Sequence, residues 1–282
     1  MGKITEYYPN QRHEVGLIRI WKIVFQNVID SKDLIFQLFK RDFTAQYKKS
    51  FIGVAWAFIM PIFGIASWVL MQMTGVLQPG EVGVPYPVYV LIGSSCWGLF
   101  TDVQSAAGST LTSAGGLLHQ VKFSHEAILF KQVLLKTVNF TISFVLILLA
   151  IAAFGILPHW QGIFTPLLML PIFFYGITIG LVMAMINVVA VDISRIVGRF
   201  MQFAIYTAPI VYSPDVENWF LQLINKWNPL TYIICSMRDL ILYGRVYDWT
   251  GLWISTGIGL VAFMLVWRMY YVSEDKLIER MI

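Results

Sequence analysis

Residues 163–191 read IFTPLLMLPIFFYGITIGLVMAMINVVAV, without one charged side chain. A helix needs roughly 20 apolar residues to cross about 30 Å of hydrocarbon, and this run supplies them. Five further runs with few or no charges occur at 52–73, 86–108, 138–156, 196–212 and 249–267. The run at 196–212 is short and contains Arg199, so its ends are the least well marked. Six crossings put both termini on one face. Seventeen of the 20 Lys and Arg residues fall on that face: nine before Ile52, then Lys122, Lys131 and Lys136, then Arg195 and Arg199, and three from Arg268 onward. The other three, Lys226, Arg238 and Arg245, lie between the last two runs. Positive charge is held in the cytoplasm, so both ends are expected there. The expected fold is an all-α polytopic membrane protein with a cytoplasmic lead-in over 1–51, a six-span domain over 52–272 and a cytoplasmic tail over 273–282.

Composition agrees. Hydrophobic residues make up 57% of the chain and charged residues 13%, with a mean hydropathy of +0.68, outside the soluble range. The net charge of +4 needs no nucleic-acid partner, because the basic residues are spread along cytoplasmic flanks beside lipid headgroups. The start, Met1-Gly2-Lys3-Ile4-Thr5-Glu6, lacks the apolar core and cleavage site of a secretory signal and the Ser/Thr of a myristoylation signal. Cys96 and Cys235 are expected as buried thiols, a disulfide being the alternative. The four histidines are scattered, and no close Cys/His grouping suggests a metal.

Within the lead-in, residues 33–47 read as an amphipathic helix. Leu34, Ile35, Leu38, Phe39 and Phe43 share one face, and Ser31 with Asp33 marks its start. It should lie in the plane of the interface, as should a second apolar-sided helix over 15–29. Gly176 and Gly180 form a small-residue motif suited to close helix packing. Residues 213–248 are too long for a turn and too interrupted for two spans. Ser213-Pro214 resembles a helix start with Pro at its first position. Asn228-Pro229 divides two short helices, and Gly244 ends the second. They either dip back into the outer leaflet, shielded by protein, or rest on the surface as an external hairpin.

A membrane enzyme or a proton-coupled carrier needs ionisable groups inside the spans, and Asp102 is the one acidic residue clearly within a run, with no obvious basic partner. No phosphate-binding loop is present, so an energy source must come from another subunit. Aromatics reach 15%. Trp56 and Phe63 share a face of the first run, and Phe200, Phe203 and Tyr206 follow three-residue steps in the fifth. Each alone is more often lipid-facing. Together they suit the apolar C–H faces of sugar rings, a surface over which a polymer slides.

Four blocks of residues then resemble the membrane subunits of type-2 ABC exporters of cell-surface polysaccharide, the O-antigen, capsule and teichoic-acid group. They are Phe39-Lys40-Arg41-Asp42-Phe43 with Gln46-Tyr47-Lys48-Lys49-Ser50-Phe51-Ile52-Gly53 and Trp56; Val121-Lys122-Phe123; Ala208-Pro209-Ile210-Val211-Tyr212; and Trp227-Asn228-Pro229-Leu230-Thr231 with Arg238-Asp239. No single block is specific; their order and spacing are. The resemblance implies two copies forming a channel, each paired with a separate nucleotide-binding ATPase subunit that binds ATP and Mg, with no cofactor in this chain. It implies a substrate channel lined by Trp56, Phe63, Phe200, Phe203, Tyr206 and Tyr212. Coupling to the ATPase would run through Leu34, Leu38, Phe39, Arg41 and Phe43, and through Leu117, Leu118 and Lys122 in the 109–125 connection. Trp219, Trp227, Asn228, Pro229, Arg238 and Asp239 would form an external gate.

Two positions depart from the family pattern: Ser124-His125 stands where Pro-Arg is common, and Val191 where an Arg often precedes Asp192. Both bear on coupling. The expectation is a non-enzymatic permease subunit that exports a lipid-linked polysaccharide, O-antigen being favoured, across the bacterial inner membrane. The alternative within the same architecture is an exporter of drugs or small lipids.

Overall fold

A computed structural model of the chain describes residues 16–48, 53–111 and 125–279. Its regular elements among these residues are ten α-helices and three short 3-10 segments. The helices are α1 (Leu17–Asp30), α2 (Lys32–Lys48), α3 (Trp56–Met73), α4 (Tyr86–Gly108), α5 (His125–Ala153), α6 (Thr165–Val189), α7 (Val191–Phe203), α8 (Trp219–Trp227), α9 (Pro229–Tyr243) and α10 (Trp249–Glu279).

α4 is the centre. Fifteen of its residues are buried, among α3, α5, α6 and α9. Its crossing with α6 is close because both helices are small there. A Cβ on Gly176 would sit 2.9 Å from Val103 Cγ1, and one on Gly180 would meet the Gln104 carbonyl oxygen and lie 2.5 Å from Ala107 Cβ. The small-residue motif is thus used for backbone approach. α10 lies along α6 and α9, tied to α6 by the Tyr175 hydroxyl, which donates to the Ser255 carbonyl at 2.7 Å. α1 rests its apolar side on α5 and stacks Trp21 on Trp267 of α10 at 5.5 Å.

Among the described residues four segments are long and apolar enough to cross a membrane: Trp56–Met73, Glu126–Ala153, Trp160–Val189 and Trp249–Glu274. The other two runs take different forms. α4 has the length but carries Ser94, Ser95, Thr101, Asp102, Gln104 and Ser105, tolerated because protein rather than lipid surrounds most of it. The run at 196–212 does not form one helix. α7 gives way to a 3-10 turn, Ala204–Thr207, and the chain is extended at Ala208 (φ −124°, ψ 150°). Pro209 explains the stop, since its ring disfavours helical backbone at the residue before it.

Three local expectations need correction. The third run begins earlier than 138: helix already runs from His125, so Lys131 and Lys136 lie on α5 and not in a connection. Asp102 does have a basic partner, Lys136 Nζ at 3.5 Å. Ser213-Pro214 does not start a helix. Ser213 N–H donates to the Pro79 carbonyl at 2.7 Å, and α8 begins at Trp219, where Asn218 Oδ1 accepts from the Phe220 and Leu221 N–H groups. An acceptor side chain satisfies the bare first-turn donors of a helix, which Pro214 five residues upstream cannot do.

Asn228-Pro229 divides α8 from α9 as expected. Asn228 is extended, its Oδ1 caps α9 at Leu230 N–H, and its Nδ2 donates to the Thr207 carbonyl at 2.7 Å. α9 ends at Gly244, whose φ of +66° is the left-handed conformation that favours glycine. α8 is exposed along Trp219, Phe220, Leu223 and Trp227, whereas α9 is buried within the bundle from Leu230 through Arg238 apart from Tyr232.

Candidate functional site

The helices α3 and α7 leave most of their apolar surface uncovered. Of α3 only Ile65 is buried, while Trp56, Met60 and Phe63 are exposed, Phe63 by 70%. α7 packs mainly on α6 and exposes Ile193, Ile196, Phe200 and Phe203. The two surfaces meet at an edge-to-face contact: Trp68 of α3 and Tyr206, beyond α7, have ring centroids 5.7 Å apart. Five of the six aromatics expected along a channel, Trp56, Phe63, Phe200, Phe203 and Tyr206, therefore lie on exposed surface. Tyr212 does not. It is 7% exposed, and its hydroxyl donates to Asn225 Oδ1 at 2.9 Å, with the Tyr206 carbonyl oxygen as the alternative acceptor at 3.2 Å. It ties the segment after the 3-10 turn to α8.

The backbone from Ala208 to Ser213 is irregular yet buried. Buried carbonyls without partners are costly, and here side chains supply the partners. Tyr86 Oη donates to the Val211 carbonyl at 2.9 Å and Tyr89 Oη to that of Tyr212 at 2.8 Å. Arg238 Nη2 donates to the Pro209 carbonyl at 2.9 Å, with its guanidinium carbon 3.6 Å from the centroid of the Tyr89 ring. Arg238, expected at an external gate, is thus a buried cation held over an aromatic face. Asp239, beside it, pairs with Arg245 at 3.5 Å. Trp219 and Trp227 are exposed by more than 70% each. Nothing in the sequence joined Tyr89 to Arg238; the charges of Arg238 and Asp239 in a mostly apolar helix were the only signal.

The segment before α3 docks through α2 onto α5. Ile35 is buried, Leu34, Leu38, Phe39 and Phe43 are half-buried, and Phe39 stacks on Phe43 at 5.8 Å. At this contact Asp42 Oδ2 receives Lys131 Nζ at 2.7 Å, and Asp42 Oδ1 receives the exposed Arg41 at 2.8 Å. Burial pulls the Asp42 carboxyl upward, but the Lys131 ammonium and the Arg41 guanidinium outweigh it and hold it below the usual carboxylate value. Leu117, Leu118 and Lys122 lie outside the described residues. Among the described residues no group of three or more His, Cys, Asp or Glu is placed to hold a metal. Cys96 and Cys235 are buried free thiols.

The family model for ABC-2 type transporters matches residues 33–242, from α2 through the end of α9. The chain belongs to the ABC-2 type transporter family. It is a multi-pass membrane permease, a transport subunit without a catalytic domain, and in this family ATP binds to separate ATPase subunits. It is similar to the O-antigen export system permease protein RfbA of Myxococcus xanthus, at 23% identity over 263 residues covering 92% of this chain and 97% of that protein. Two proteins of the same description from Klebsiella pneumoniae match at 21% over 80% of the chain and at 20% over 82%, covering 87% and 91% of their own lengths.

Proposed function

We propose that this ABC-2 permease is one half of a homodimeric channel that exports a lipid-linked polysaccharide, O-antigen in the favoured case, across the bacterial inner membrane. The observation that carries the reading is the aromatic wall of α3 and α7. Its uncovered rings stand on two helices that meet at the Trp68–Tyr206 contact, and an open face serves a moving polymer better than a small molecule that needs an enclosing pocket. Distant similarity to O-antigen permeases over nearly the whole chain supports the same substrate class. A second copy would cover the remaining apolar surface and close the conduit.

In this reading the chain crosses six times, α4 and the α7 segment completing the four more apolar helices, with both termini in the cytoplasm. Two ATPase subunits bind below. ATP binding closes them, and α2 passes the displacement to α5 through the Asp42–Lys131 contact, together with the 109–125 connection. At the outer end α8 and α9 form the gate, hinged on Asn228. Purified permease with its ATPase subunit in lipid vesicles should move a lipid-linked glycan across the bilayer when ATP is supplied. A folded, ATP-hydrolysing complex that moves drugs but no glycan would refute the polysaccharide reading. Tags at the two ends found on opposite faces of the membrane would refute the topology.

A further inference from the structure

Beside the aromatic wall lies a cavity of about 280 Å³ between α3, α4 and α5. Each helix gives it one face: Pro61, Gly64 and Trp68 from α3 at i, i+3, i+7, and Lys136, Asn139 and Ser143 from α5 at the same spacing. α4 contributes Ser95 and Asp102, with Gly98 between them. A Cβ on Gly64 or Gly98 would meet nothing within 4 Å, so the two glycines keep the space open. The lining combines unlike chemistry. Asp102 Oδ1 and Lys136 Nζ stand 3.5 Å apart with the carboxylate half exposed. Asn139 Oδ1 is buried and accepts no hydrogen bond from any described residue. Trp68 adds an indole face and continues through its contact with Tyr206 into the wall.

The chemistry of the lining selects its ligand. An anion such as phosphate meets Asp102, a metal cation meets Lys136, and an acyl chain strips water from the Asp102–Lys136 pair and leaves the Asn139 oxygen without a donor, each at a cost in free energy. A neutral polyhydroxylated ring satisfies all of them. Its hydroxyls donate to Asn139 Oδ1 and Asp102, accept from Lys136, and its C–H face lies on Trp68. The volume, just under the roughly 300–1,000 Å³ of pockets for drug-sized ligands, suits one such ring and not a stretch of polymer. Resting on the polysaccharide reading above, we propose that this cavity is a side subsite that admits a single sugar unit of the passing glycan and reads its hydroxyl pattern. Asp102, Lys136 and Asn139 are its specificity-determining residues.

The test uses the full permease–ATPase complex with the glycan made by its own host. Ser143→Cys puts a thiol on the cavity wall, the parent with only its two buried cysteines serving as control. A small water-soluble thiol reagent should label Cys at 143 in idle complex and be excluded when vanadate stalls the complex with glycan in transit. Gly98→Leu, for which the backbone has room, should fill the cavity and lower glycan export by roughly tenfold or more, the weight of one lost charge-assisted hydrogen bond. Asp102→Asn should do the same, and the double exchange Asp102→Lys with Lys136→Asp should not restore it. A free monosaccharide at high concentration should protect the thiol weakly or not at all if the subsite reads a tethered unit. Full protection by free sugar with none by stalled glycan would overturn the proposal. So would unchanged labelling with Gly98→Leu exporting normally, which leaves the channel reading standing, and so would rescue by the charge exchange, which makes the pair a bare structural tie. Absence of any glycan transport by the parent complex would overturn both readings together.

Discussion

Lys131 Nζ of α5 lies 2.7 Å from Asp42 Oδ2 of α2, an ion pair between a helix outside the bundle and the helix beneath which it docks. Lys131 is nearly buried, so replacing Asp42 takes from its ammonium the carboxylate it faces. Asp42→Asn should cost about 1–2 kcal/mol of docking, the net worth of a charge-assisted hydrogen bond in a partly exposed site. The expected phenotype is ATP hydrolysis without proportionate export, read by assaying both on one vesicle preparation. Unimpaired coupling would remove α2 from the transmission path.

The same pair has a pH signature. Because the Asp42 carboxyl is held below its usual value, its contribution is present in full above the unfolded-state pKa and is lost as pH falls through the lowered folded value. Hydrogen exchange of the α2 amides should therefore stay slow through neutral and mildly acidic solution and rise only below the ordinary carboxylate range. In Asp42→Asn that acid step should vanish.

Arg238 holds the irregular segment from Ala208 to Ser213 by one hydrogen bond and one ring contact. Arg238→Ala should lower the stability of the detergent-solubilised protein by about 2–4 kcal/mol, leaving the Pro209 carbonyl bare and the Tyr89 face empty. Arg238→Lys should recover only part of this, since a compact ammonium cannot present a planar fork and stack at once. Thermal unfolding followed by tryptophan fluorescence reads both.

Gly180→Ala forces α6 from α4 and should destabilise by about 1–3 kcal/mol through overpacking. Gly257→Ala on α10, where a Cβ meets nothing within 4 Å, should be neutral or slightly stabilising. Equal melting temperatures for the two variants would contradict the close crossing.

Phe63→Ala and Phe203→Ala remove exposed rings, so each should leave stability within ~0.5 kcal/mol of the parent. Surface glycan should nonetheless fall in both, measured as polymer length and amount on cells. Altered drug resistance with intact glycan would instead favour the small-molecule exporter.

Much of this fold was legible because bilayer-length apolar runs declare themselves. The α2 face, the break at Asn228-Pro229 and the left-handed Gly244 are local signals, and the structure carries each. What stayed hidden was tertiary. Lys131 and Lys136 read as connection residues because charge suggests solvent, whereas each finds its carboxylate on another helix, 89 residues away for Asp42. Tyr212 read as one more exposed ring because apolar spacing does not show that the chain leaves its helix before reaching it. Pro209 carried the signal that the run at 196–212 would break, but a run counted for apolarity gives a proline no more weight than a leucine.

The burial of α4 reaches back to the moment of synthesis. A segment that draws its greasy surroundings from α3, α5, α6 and α9, and shows serines, a glutamine and Asp102 along its length, has little reason to leave an aqueous translocation path for lipid by itself. Its neighbours have to receive it, and since α6 and α9 emerge later from the ribosome, the central helix is the one whose final seat depends on parts not yet made. The seating of α4 should therefore finish only once α9 has been made.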